Sequence, residues 1–447
     1  MKMRGMPVGR RAWIAVAVAS SMAFAACGGD DGGGASDAPA ETEAPSATEA
    51  PSDSSSDDTE APAETSAPSD EPGPPTGPEM VVGMVNTEGT PGLDFPDMRR
   101  FAEAAFDYMN TSGGFGNRPV KFESCIAKGS PETSQACAQE LVGKGVELVL
   151  VGLDLFPDYR TYEAAGVPVI GILPILPGDY TANALYLSGG TATSVGQMAT
   201  VAKEKFNAAS VGIVSADNAG ANQVAAGLEA ALTKAGITFK TVKGGDNETD
   251  AGYQGLMREA SKDNPDLLIS LYSDAGCIGT MRGYATLGLD VPVLTTGICS
   301  DEDVISVVGD EATNWHFQGV AQDRDTPERA QLRKILAPVI GVAEDEVKSS
   351  GLGLGGLGYI LVMSLANYAD LMVADGIEMT GPALFDFLKN SSGLYLFGDE
   401  TPIECGAVPA YSSVCAFVSP WSYYAGDGVV APMDDPFYLV DSKQYLP

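Results

Sequence analysis

VELVLVGLDLFPDYRTYEAAGVPVIGI, residues 146–172, decides the fold. It opens on a short unbroken apolar run. It then passes through a segment with helical spacing and returns through Gly-Val-Pro to a second apolar run. Short, continuous, β-branched runs suit strands covered on both faces, and parallel strands need a crossover between them. The stretch therefore reads as a strand at 146–151, a helix at 157–165 and a strand at 167–172.

The same alternation continues in both directions. Upstream lie strands at 80–85 and 119–123 and helices at 98–110 and 131–144. The first of these helices sets Phe101, Ala105, Phe106 and Met109 on one face. Downstream come helices at 194–206, 222–235, 252–261 and 276–287, with strands at 210–214, 238–242, 267–271 and 291–295. Repeated strand–helix units predict an α/β fold with doubly wound layers. The pattern occurs twice over comparable lengths, 80–185 and 194–320, so two Rossmann-like lobes with a cleft are expected. Open α/β sheets take ligands beyond the C-terminal ends of their strands.

Composition narrows the function. The 447 residues hold 60 acids against 26 Lys and Arg, a formal charge of −34. So acidic a chain lacks the clustered cations that phosphate contact requires, which argues against nucleic acid as a partner. The one histidine, His316, excludes a His-rich metal site and would have to carry any Ser-His-Asp mechanism alone. A structural, hydrogen-bonded role is the simpler reading of it. No G-x-S-x-G, H-E-x-x-H or P-loop occurs. Gly353-Leu-Gly355-Gly-Leu-Gly358 matches G-x-G-x-x-G but follows hydrophilic residues rather than a strand, and reads as the tightly packed start of a core helix. Asn367 and Asp370 interrupt the apolar stretch after it, so it is not read as membrane-spanning. No enzyme, cofactor or metal is expected.

The N-terminus is an address and a leash. Residues 1–27 carry four basic groups and no acid, and an apolar run of secretory length ends Phe24-Ala25-Ala26-Cys27-Gly28-Gly29. Small residues before a cysteine resemble a bacterial lipobox. That resemblance implies a signal peptide at 1–26 and lipidation of Cys27, which places the mature protein at the outer face of the cell membrane. An ordinary signal peptide with an incidental Cys27 is the alternative. Residues 28–79 hold fourteen acids, no base and almost nothing to bury, which predicts a disordered tether over 27–79. Six further cysteines remain: Cys125, Cys137, Cys277, Cys299, Cys405 and Cys415. An even number in an exported chain suggests disulfides, and neighbours in sequence would pair as 125–137, 277–299 and 405–415. Six cysteines allow 15 connectivities, so the pairing stays open. A zinc site is the weaker rival, since there is no C-x-x-C pair.

The order and spacing of several segments resemble the type I periplasmic solute-binding proteins of the branched-chain amino acid kind, which feed ABC importers. The segments are the opening strand and Gly-rich loop at 81–92, the turn NTSGGFGNRP from Asn110 and Cys125 after the second strand. ELVLVG from Glu147, AGVPVIG from Ala165, Asp250-x-x-Tyr253 and NPDLLIS from Asn264 follow in order. The resemblance implies a clamshell of two lobes joined by a three-segment hinge. It places the crossings near 185–190, 317–322 and 394–398, with lobe 1 at 80–188 plus 322–394 and lobe 2 at 189–321 plus 395–447. It further implies a monomer with a small solute and a membrane permease as partners.

Family ligands rest on strand-end loops. By resemblance the contacts fall at Thr87, Glu88 and Gly89, at Phe95, at Asp154 and Leu155, and at Leu173 and Ile175 in the first lobe. In the second they fall at Asp217 and Asn218, at Tyr272, Ser273 and Asp274, and at Cys299. The hydroxyls with which amino-acid binders hold a ligand carboxylate are missing from 152–157 and 172–176. Asp154 would repel that carboxylate, and as a plain structural residue it would cap a helix beginning near Leu155 or Phe156. No acid stands at 298–300 for a ligand ammonium, though Asp274 offers a substitute. The expected solute is amino-acid-like or less polar. A ligand-sensing module of the same fold, or an extracellular enzyme using Asp154, are the rival readings.

Overall fold

Leu148 and Leu150 point to one face of strand β3 (Leu148–Val151) and Val149 and Val151 to the other, where they enter different core clusters. The run is apolar throughout, yet the pleat still sorts it, because both faces of the sheet are covered. A computed structural model describes residues 72–447 apart from 91–93, 246, 274, 320–325, 349–351, 399–400 and 435–437, and apart from the side chain of Ala219. The leader, Cys27, most of the tether and Asp274 therefore lie outside the described residues.

The central strand of the first sheet is β1 (Met80–Thr87), flanked in parallel by β2 (Val120–Ala127) and β3. Strands β4 (Val169–Gly171) and β5 (Leu185–Tyr186) complete the order β2-β1-β3-β4-β5, all parallel. Helix α1 (Pro96–Met109) lies on one face, and α2 (Pro131–Gly143) and α3 (Tyr159–Ala165) on the other. Ser130 caps α2 by accepting from the Thr133 N–H, with Pro131 in the first turn. Gly166, at φ 69°, ends α3 in the left-handed conformation that a side chain resists.

The second sheet repeats the device. Helix α4 (Gly190–Thr200) leads into β6 (Ser210–Ala216), α5 (Ala219–Lys234), β7 (Thr238–Gly244), α6 (Asp250–Ser261), β8 (Leu267–Ser270), α7 (Ala275–Thr286), β9 (Val293–Thr295), α8 (Glu302–Val308) and β10 (Trp315–Gln318). Its parallel part runs β7-β6-β8-β9-β10, the same winding as the first sheet. Among the described residues, three more helices then return to the first core: α9 (Pro327–Ile340), α10 (Gly356–Ala374) and α11 (Gly381–Asn390). A short pair, β11 (Leu394–Tyr395) and β12 (Pro402–Ile403), follows. Strand β13 (Val418–Gly426) joins β10 antiparallel, with β14 (Val429–Pro432) and β15 (Tyr438–Asp441) on its outer edge.

Helix α10 is the apolar stretch behind the G-x-G-x-x-G pattern. By length and composition alone, residues Gly353–Ala374 could cross a membrane, but here they are a core helix packed on α1. A Cβ on Gly355 would meet Asp97, and one on Gly358 would meet the Met98 carbonyl, so the glycines let the two helices touch. Ion pairs span the two bodies: Lys348 Nζ lies 2.7 Å from Glu302 Oε2, and Lys443 Nζ, just after β15, lies 2.9 Å from Glu404 Oε2. Val347 beside Lys348 packs into the first core, while Val304 and Ile305 after Glu302 pack into the second.

Three expectations need correction or refinement. Residues 73–77, read as tether, are docked: the Gly77 N–H donates to Asn117 O at 2.8 Å and the Gly113 N–H to Gly73 O at 2.9 Å. The third crossing does not fall at 394–398. Cys405 and Cys415 belong to the first core, and the Cys415 N–H donates to Tyr186 O at 2.9 Å, so residues 394–415 extend the β5 edge and the chain passes over only just before β13. The backbone of β5 has unpaired groups on that edge, and the 405–415 loop satisfies them. The three disulfides are 125–137, 277–299 and 405–415, the pairing of sequence neighbours.

Candidate functional site

In the order β2-β1-β3 the chain winds one way from β1 and then the other, and a crevice opens where the direction reverses. The first sheet places Thr87–Glu88 and Gly152–Asp154 at that point, and the second places Ala216–Asp217 and Leu271–Ser273 at its own. The sequence-predicted residues thus gather at the C-terminal ends of the two sheets, apart from Asp274, which is not described. They divide sharply between those turned inward and those open to solvent.

Thr87, Glu88, Asp154, Tyr272 and Cys299 are buried. Arg99 holds Glu88 through two hydrogen bonds, Asn86 Nδ2 adds a third at 3.2 Å, and Lys128 Nζ donates to the Glu88 carbonyl at 2.9 Å. That carboxylate pushes the Arg99 guanidinium above its ordinary value. Asn86 also ties the loop together, donating to Phe95 O and accepting from the Leu153 N–H at 2.9 Å. Cys299 is consumed by its disulfide to Cys277. The Tyr272 hydroxyl donates to Gly245 O at 3.1 Å.

Asp154 does not cap a helix as expected, because α3 begins only at Tyr159. Its Oδ1 accepts from the Ser134 hydroxyl at 2.8 Å and the Phe156 N–H at 3.1 Å, fastening the loop to α2. Its Oδ2 is buried with no hydrogen-bond partner. Burial raises this carboxyl above the usual range, against the pull of the Phe156 N–H and Ser134, and the charge of Asp179 adds to the rise. Asp179 itself is fully engaged, accepting from Tyr159 at 2.6 Å and from the Ile175 and Leu176 N–H groups at 2.8 Å. All three buried acids of this region serve the protein's own structure.

What remains open is of different character. Phe95, Leu155, Leu173 and Ile175 are partly exposed on the first sheet's ends, and Gly89, Asp217, Asn218 and Ser273 are exposed. Two residues that sequence reasoning passed over are Phe156, 37% exposed, and Ile298, 43% exposed, each just beyond a strand end. Large apolar side chains left in solvent beside a crevice are the signal that could have found them. Hollows lie at both ends. One of about 310 Å³ is bounded by Phe156, Tyr159, Arg160, Glu132 and Asp158. One of about 460 Å³ is bounded by Asn218, Asn247, Leu271, Tyr272 and Ser273. His316 lies away from them on β10, packed edge-on against Phe206 with ring centroids 4.9 Å apart, and its Nδ1 is buried without the hydrogen-bond partner that was expected.

Residues 79–369 match the family model described as periplasmic binding protein. No curated protein sequence matches. Solved structures are similar over most of their length. An ABC transporter substrate-binding protein from Sphaerobacter thermophilus shares 19% identity over 81% of this chain and 96% of its own, at a TM-score of 0.58. A putative branched-chain amino acid ABC transporter protein from Rhodospirillum rubrum shares 13% over 79% and 99%, at 0.60. An ABC transporter solute-binding protein from Rhodopseudomonas palustris HaA2, in complex with p-hydroxybenzoic acid, shares 16% over 82% and 98%, at 0.56.

Proposed function

The chain belongs to the periplasmic binding protein family, and from that membership we propose that it is an exported, lipid-anchored protein that captures a small solute and hands it to an ABC importer. The observation that carries the reading is the repeated winding order. Two sheets with the same reversal each present accessible residues at their C-terminal strand ends, and the chain passes between them more than once. In this reading the solute sits between those ends. Contacts to both bodies form only when they approach, so the solute favours the closed state by its differential affinity for it. The permease then reads the closed form.

Small-angle scattering with and without solute tests the capture step; unchanged dimensions at saturation would count against it. Mass spectrometry of small molecules that co-purify, followed by thermal-shift screening, identifies the solute without a transport assay. The anchor is a separate proposal, supported by Cys27 after the apolar leader and by the acidic segment behind it. Release of Cys27→Ser protein into the medium, with the native protein retained on cells, is the expected result.

A further inference from the structure

Resting on the solute-capture reading, we infer that the two bodies turn about the contact of Gly189 with Ala416, and that the amide of Gln197 clasps the chain beside all three crossings so that the second body turns as one piece. Three sets of contacts lead to this.

First, the first body holds its chain up to the residue before the contact. After β5 the Leu187 N–H donates to Gly171 O and the Ser188 N–H to Ile172 O, both at 2.9 Å. On the returning chain the Cys415 N–H donates to Tyr186 O, and the disulfide to Cys405 closes the loop at that residue. Ser188 and Cys415 are therefore fixed to the first sheet, and Gly189 and Ala416 come next along the chain.

Second, one side chain ties the second body together beside every crossing. Gln197 lies on α4, just beyond the first crossing, and is 2% exposed. Its Oε1 accepts from Gln318 Nε2 and from the Ser419 hydroxyl, each at 2.6 Å. Gln318 ends β10, where the second crossing begins, and Ser419 stands second in β13, where the third ends. The Ser194 hydroxyl closes the set by donating to Gln318 Oε1 at 2.5 Å, and the Gly319 N–H donates to Pro420 O at 2.8 Å. Phe417 O is held too, accepting from the Ser442 N–H and hydroxyl at 2.9 Å. Opening this set leaves buried polar groups unpaired, which costs more than parting exposed ion pairs such as Lys348–Glu302. The molecule therefore gives between the bodies before the clasp opens.

Third, the first and third crossings touch at the two residues that neither set of bonds holds. A Cβ on Gly189 would collide with the Ala416 carbonyl and with the Thr193 side chain. Gly189 has φ −91° and ψ −9°, a conformation open to other residues, so the position requires glycine for space rather than for backbone freedom. The remaining contacts here crowd round the same point. Val414, Phe417 and Leu446 form one small core, and the Tyr411 hydroxyl donates to Pro447 O at 2.7 Å. Groups close to an axis move little when the bodies turn, whereas the distant strand ends move far.

The test reads the separation of the bodies directly. Spin labels on Ala164→Cys and Ala251→Cys, exposed on α3 and α6, report its distribution in the full chain without added solute, by double electron–electron resonance. Gln197→Leu removes the shared acceptor at similar size and is expected to broaden the distribution about twofold. Thr280→Ala, which breaks hydrogen bonds inside α7, is expected to lower the melting temperature and leave the width native. Gly189→Ala is made together with Thr193→Ala, so that the Ala416 carbonyl alone opposes the new methyl, and is expected to shift the mean separation. Ala416→Gly frees the other half of the contact and is expected to broaden the distribution. Native width in Gln197→Leu, with a melting temperature lowered as in Thr280→Ala, overturns the clasp. An unshifted mean in the Gly189 variant, or native width in Ala416→Gly should the former not fold, overturns the axis. None of these outcomes needs a solute, so they stand apart from the capture reading, which fails instead if no solute alters the native distribution.

Discussion

Arg99 grips Glu88 at both carboxylate oxygens, through Nε at 2.7 Å and Nη2 at 3.1 Å. The pair fixes the loop after β1, and Glu88 is only 6% exposed. Removing one partner strands a charge in a poorly hydrated place. Arg99→Ala is expected to cost about 3 kcal/mol, while the double change Glu88→Gln, Arg99→Met recovers most of it. Urea midpoints at constant slope measure both. A loss below about 0.5 kcal/mol would mean the pair behaves as a solvated surface bridge.

Asp154 should make the protein less stable as pH rises. Its carboxyl is raised in the fold, chiefly by burial, above the ordinary 3.8. A raised acid contributes fully below the ordinary value, and the contribution fades as pH climbs through the folded one. Asp154→Asn keeps an oxygen for Ser134 and Phe156 and cannot ionise. The variant is expected to match the native protein near pH 3.5 and to gain on it steadily towards pH 7. Parallel stability curves for the two would refute the assignment.

Cys277–Cys299 joins the segment after β8 to the segment after β9 across a separation of 22 residues. In the chain-entropy model such a loop stabilises by roughly 3 kcal/mol. Cys277→Ser with Cys299→Ser is expected to lower stability by about that amount, read by thermal unfolding without reductant. Reduction of the native protein opens all three disulfides and should cost more than this single removal.

His316 is kept neutral by burial, which lowers its affinity for a proton below the ordinary 6.5, with the charge of Lys205 adding a smaller effect. Its neighbours are the Phe206 ring and Tyr423 across the β10–β13 ladder. A lowered histidine leaves stability intact above 6.5 and removes it as pH falls through the folded value. His316→Phe is expected to flatten the loss of stability on acidification below that point, in denaturant titrations at successive pH values. An unchanged acid limb would show that carboxylates alone set it.

The alternating strands and helices from 80 to 295 were legible because each strand is a β-branched run bounded by Gly or Pro, as at Ala165–Gly171. The repetition of the strand–helix pattern was legible for the same reason, whereas the sequence suggested the pairing of neighbouring cysteines but left it open among 15 connectivities. The end of the chain was not legible. Val418–Gly426 pairs β10 about a hundred residues back, and nothing in its own residues names that partner, although Asp427-Gly428 marks the local hairpin to β14. The 405–415 loop was assigned to the wrong body because its bonds to Tyr186 reach back more than two hundred residues. At the candidate site, the family resemblance marked Glu88 and Asp154 as ligand contacts, and in the structure Arg99 bonds the first and Ser134 the second. Only burial separates a carboxylate that meets a solute from one that holds a loop.

Lys348 and Glu302 are about half exposed, at 46% and 50%, and they belong to different bodies. Water and dissolved ions therefore reach this tie directly. Electrostatic reach is about 30 Å in 0.01 M salt but only about 3 Å at 1 M. A bond worth at most about 1 kcal/mol is thus left to the medium rather than to the fold. Dilute buffer tightens this tie between the two bodies, and brine slackens it.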